Sequence, residues 1–114
     1  MNNLLAEMYK GLQPFLDDTG YKPKTTFWGD FSIAEYCGGE KAVKDTFNRA
    51  FNEWKGNAEY LTELVMILNW KIWYWNESNE SLARLYNDLW EQADEWALKN
   101  LKGDDKSYFL RTTD

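Results

Sequence analysis

An all-α fold, a small antiparallel helical bundle, is predicted by three features of this chain. Apolar residues recur at helical spacing in three long segments, and the connections between those segments are short. Only two prolines and seven glycines interrupt the 114 residues. Three main helices are expected at about 40–55, 58–76 and 80–101, with short helices before them. The length suits one domain, 1–114, divided into an N-terminal helix and loop (1–31), a helical core (32–103) and a tail (104–114).

Asn3 to about Gly11 reads as a short helix that turns Leu4, Leu5, Met8 and Leu12 inward, and Pro14 limits its extension. Asp17 to Asp30 reads as a loop. Ser32-Ile33-Ala34-Glu35 has the form of a capping box, with Phe31 and Tyr36 as a hydrophobic staple, so a helix is expected to start there. Gly38-Gly39 should break it. Beyond the break, Val43, Phe47, Ala50, Phe51 and Trp54 share one helical face. Gly56-Asn57 closes that helix and offers Asn57 as the N-cap of the next.

In the helix of about 58–76, Leu61, Leu64, Val65, Leu68, Ile72 and Trp75 form the main stripe. Met66, Trp70 and Trp73 lie on nearly the opposite side, flanked by Glu59, Glu63 and Glu77. A helix apolar on two faces is central to its fold or meets a partner. Asn79 caps a further helix with one broad stripe: Leu82, Leu85, Tyr86, Leu89, Trp90, Ala93, Trp96 and Ala97. Lys102-Gly103 ends it, and Tyr108, Phe109 and Leu110 are the residues able to dock the tail.

Net charge is −6, with the excess in the second half. From Asn57 to Asp105 ten acids face only Lys71, Arg84, Lys99 and Lys102, and no Lys/Arg cluster exists to overcome repulsion from phosphate, so nucleic-acid binding is disfavoured. Met1 to Leu5 lacks the basic start and apolar core of a signal peptide, and no apolar run reaches membrane-spanning length; a cytoplasmic protein is expected. The single cysteine, Cys37, fits a reducing compartment and reads as a small, partly buried hydrophobe at a turn.

The absence of histidine removes the commonest general base and transition-metal ligand, and with it the familiar Ser-His and Cys-His systems. Asp88, Glu91, Asp94 and Glu95 form a candidate acidic face, read chiefly as a solvated one, and no cofactor or metal is expected. Asn69, between the two faces of its helix, is expected to hydrogen-bond inside the bundle.

Seven Trp, seven Tyr and six Phe make a large aromatic load for a domain that leaves roughly a third of its surface exposed. Trp54, Trp75, Trp90 and Trp96 take stripe positions, whereas Trp28, Trp70 and Trp73 do not. Either the N-terminal segment covers the Trp70 face, or Met66, Trp70 and Trp73, rimmed by Glu59, Glu63 and Glu77, form a partner-binding or self-association patch.

The runs TFWGDFSIAEYCGGEKAVKDTFNRAF, YLTELVMILNWKIW and LKGDDKSYFLRTTD resemble small uncharacterised proteins of bacterial phages and other mobile elements, over residues 25–114. The resemblance implies a biological setting and no activity or site residue. A non-enzymatic interaction module is expected, an adaptor or inhibitor acting as a monomer or homodimer on a protein partner. A homodimeric structural protein seamed at Trp70 ranks second, and a carboxylate-dependent metal binder or enzyme third.

Overall fold

The computed structural model describes the backbone of residues 2–113 and the side chains of residues 6–113. Helices α1 (Asn2–Lys10), α2 (Gln13–Thr19), α3 (Phe27–Trp54), α4 (Ala58–Trp75), α5 (Glu80–Asn100) and α6 (Gly103–Thr113) follow one another, with no strand among the described residues. Helix α4 is the centre. Its two apolar faces are both used: every residue from Leu61 to Leu68 is buried, and α3, α5 and α6 all pack on it. The predicted caps are present, with Asn57 Oδ1 accepting from Tyr60 N (3.1 Å) and Asn79 Oδ1 from Leu82 N (3.1 Å). Helix α5 makes the most extensive contact with α4, through the stripe that buries Leu82, Leu85, Tyr86, Leu89, Ala93 and Ala97.

Helix α3 is bent where the glycine pair predicts a break, because Gly39 takes φ 65°, ψ −151°, a conformation closed to residues with a side chain. Its start differs from expectation. The helix begins at Phe27, inside the segment read as loop, and Ser32 is not a cap. Ser32 is instead buried in the second turn and donates to Trp28 O at 2.9 Å. The five residues gained, 27–31, carry Phe27, Trp28 and Phe31 into the core, and each such ring contributes about 1.5–3 kcal/mol by burial. That gain outweighs the weak local preference for starting at a Ser-x-x-Glu box. Gly29 is required by close approach: a Cβ there would collide with the Tyr9 ring of α1.

Pro14 opens a helix rather than merely ending one, since it lies in the first turn of α2, where its missing N–H costs nothing. Leu4 and Leu5, expected on the inner face of the first helix, have side chains outside the described residues, whereas Leu12 is buried as expected. Of the stretch read as a tail, residues 104–113 are helical and form most of α6, held down by Phe109, which is buried where α6 packs on α4; Leu110 stays exposed, and Asp114 lies outside the described residues. No helix among the described residues is long and apolar enough to cross a membrane.

Burial of the tryptophans does not follow stripe position, although the N-terminal segment covers Trp70, as one of the two readings expected, and Trp73 stays exposed. Trp28 and Trp70, which have no stripe position, are buried, while Trp54, Trp75, Trp90 and Trp96 are only half-buried against the core. The cover comes from the N-terminal segment: Phe15 stacks on Trp70 at 5.5 Å between centroids and Tyr21 meets it edge-on at 6.2 Å. The Trp28 indole N–H donates to Met8 O at 2.8 Å.

Candidate functional site

Three carboxylates are drawn out of bulk water around α4, and each is treated differently. Glu35, on α3, lies beside the only lysine of α4. Lys71 Nζ donates to Glu35 Oε2 at 2.9 Å and to Ser32 Oγ at 2.9 Å, and it sits 4.0 Å from the centroid of the Trp28 ring. An ammonium has three protons, so these three contacts occupy it. Glu35 Oε2 also accepts from Trp75 Nε1 at 3.0 Å and from the Tyr86 hydroxyl in a short hydrogen bond. Burial pushes the Lys71 pKa down, and the neighbouring Glu35 charge opposes that shift. Burial, followed by the Glu35 charge, pushes the Tyr86 phenol up. Beside this centre is a pocket of about 500 Å3 lined by Glu7, Met8, Tyr36, Tyr74 and Trp75, with Ser32, Glu35 and Lys71.

Glu63, on α4, has no solvent exposure and no cation among the described residues. Neutral donors satisfy it. Its Oε1 accepts from the Tyr21 hydroxyl (2.7 Å) and Lys24 N (2.7 Å), and its Oε2 from Thr25 N (3.0 Å) and, in a short bond, the Thr25 hydroxyl. These bonds fasten the irregular segment 20–26 to the central helix, which keeps Tyr21 against Trp70.

Asp94, on α5, borders a second pocket of about 440 Å3. Its walls are Thr19 and Tyr21; Val65, Met66, Asn69 and Trp70 of α4; Trp90; and Thr112 and Thr113 of α6. Tyr21, Thr19 and Thr113 donate their hydroxyl protons elsewhere, to Glu63, Phe15 O and Phe109 O. Asp94 forms no ion pair among the described residues, and no Lys or Arg lines the pocket. Burial raises the Asp94 pKa, and Glu95 adds to the effect.

The residues singled out from sequence are thus redistributed. Of the six-residue patch, Met66, Trp70 and Glu63 are buried while Trp73, Glu59 and Glu77 are exposed, so no continuous exposed patch exists there. Of the acidic face, Asp88, Glu91 and Glu95 are in solvent and only Asp94 turns toward a pocket. Among the described residues no group of acids or Cys is placed to hold a metal ion. Asn69, expected to hydrogen-bond inside the bundle, lines the Asp94 pocket and makes no side-chain hydrogen bond among the described residues. Cys37 is exposed, not partly buried.

Lys71 was the residue missed, although a signal for it exists. It lies three residues after Leu68 and four before Trp75, on the core stripe, and a lone cation there demands a buried partner. The partner was hidden because Ser32 and Glu35 also satisfy the pattern of a cap. Comparison of the chain with protein-family models, curated proteins and solved structures finds no match.

Proposed function

We propose that this chain is a non-enzymatic protein-interaction module, an adaptor or inhibitor that occupies the surface of a partner protein. One observation carries the reading: Tyr36 (71% exposed), Trp73 (65%) and Tyr74 (43%) remain in solvent in a domain that buries Trp28 and Trp70. Tyr36 and Tyr74 border the same pocket, at whose edge Glu7 is exposed, and Trp73 immediately precedes Tyr74 on α4. Rigid aromatic side chains on a helical scaffold are favoured contact anchors, since little side-chain entropy is lost when they are covered. The three main helices, antiparallel in this reading because their connections are short, supply that scaffold.

The non-enzymatic part of the reading is supported by the fate of Lys71 Nζ and Glu35 Oε2, which are engaged with each other and with Ser32, Trp75 and Tyr86. The sequence resemblance suggests a phage or mobile-element setting.

The test begins with solution mass by light scattering, where a monomer is expected. Capture from source extract follows, comparing the parent chain with Tyr36→Ala, Trp73→Ala and Tyr74→Ala combined, and with Lys41→Ala on the exposed face of α3 as control. A partner held by the parent and the control but lost by the triple variant, at unchanged helicity, supports the reading. Retention by the triple variant overturns it, as does a stable dimer that the three substitutions dissociate, which would make the same rings a self-association seam.

A further inference from the structure

The Asp94 pocket has a chemistry of its own, separate from the exposed rings. Glu35 receives three donors and Glu63 four, as buried carboxylates require. Asp94 differs from both: it is only partly buried, faces a pocket bordered by two indoles, Trp70 and Trp90, and has no ion-pair partner among the described residues. The volume of about 440 Å3 falls within the roughly 300–1,000 Å3 of small-molecule sites. The rest of its lining is apolar (Val65, Met66) or neutral and polar, including Asn69, Tyr21 and the threonines.

We propose that this pocket binds an organic cation, an alkylammonium group on an apolar body, with Asp94 as counter-ion, the Asn69 carbonyl as a second acceptor and Trp70 and Trp90 as walls. An arriving ammonium gives the carboxylate a charge-assisted hydrogen bond, stronger than one to a neutral donor, on a side of the pocket that supplies no cation of its own. Indole rings favour a cation, and an apolar body gains by covering Val65 and Met66. An anionic ligand would meet Asp94 with Glu95 behind it and no positive charge in the walls.

The same ammonium is available from a free amine or from a lysine side chain of a polypeptide. Phenethylamine and Nα-acetyl-lysine methylamide are therefore titrated separately into the full chain, with phenethyl alcohol as the neutral analogue, following the indole N–H signals by NMR. Binding of at least one amine with Kd of about 1 mM or tighter is expected, shifting Trp90, with the alcohol about tenfold weaker or more. The tighter amine identifies the source. Asp94→Asn, which preserves shape, should weaken the amine about tenfold or more, whereas Asp88→Asn, an exposed acid on the same helix, should leave it unchanged. The proposal is overturned if neither amine binds, if the alcohol binds equally well, or if Asp88→Asn weakens binding as much as Asp94→Asn does.

Discussion

The two pockets border roughly opposite sides of α4, and each has a carboxylate at its edge, yet only one contains the matching cation. At the first, Lys71 enters from α4 itself, so Glu35 has its counter-charge before anything binds. At the second, the corresponding side of α4 offers Asn69 and Trp70, and Asp94 faces uncharged walls. The difference follows from helical phase: Lys71 and Asn69, two residues apart, point about 200° apart around the axis. One pocket is electrostatically complete and its value is structural; the other lacks a positive charge that a ligand can bring.

Breaking the complete side should produce the largest effect. Lys71→Met leaves Glu35 largely buried without its ammonium and should cost about 3–5 kcal/mol in urea denaturation, with most of the loss recovered when Glu35→Gln is added. A single-variant cost near zero would mean that the pair is dispensable and the contrast between the pockets false.

The next effect separates the walls. Phe109→Ala removes the buried ring that docks α6 and should cost about 3 kcal/mol, read as faster amide exchange across α6. It should also open the Asp94 pocket, which Thr112 and Thr113 line, and leave the Glu35 centre in place. Replacement of the third carboxylate is expected to cost less. Glu63→Gln retains one acceptor oxygen but turns N–H groups toward existing donors, and about 2 kcal/mol should be lost with protection of the Lys24 and Thr25 amides.

The smallest effect has the opposite sign. Because the Asp94 pKa is raised above its ordinary 3.8, its contribution to stability is fully present below that value and declines as pH rises through the higher folded-state pKa. Asp94→Asn should therefore be equal to the parent in acid and slightly more stable at neutral pH, by about 0.5 kcal/mol or less after solvent screening. A loss of stability at neutral pH would show that Asp94 already has a favourable partner.

Much of the architecture was legible from residue pattern. Caps at Asn57 and Asn79, the break at Gly39 and the central place of a helix apolar on two faces all depend on neighbours within a few positions, and all are present. The sites were less legible. Glu63 stands on the Trp70 face, where pattern alone makes it a solvated rim; the turn that buries it comes from residues 21–25, some forty positions earlier. Ser32 and Glu35 fit a cap and also fit an ion-pair centre, and only the position of Lys71 decides between them.

Helix type, periodicity, capping and the acidic balance are local or additive properties, and the chain order is enough to set them. Which rings are covered, which carboxylate meets a lysine and which is left facing a pocket were decided by tertiary packing. The cost of burying a charge depends on donors brought within about 3 Å from distant segments, and residue order alone does not specify that proximity.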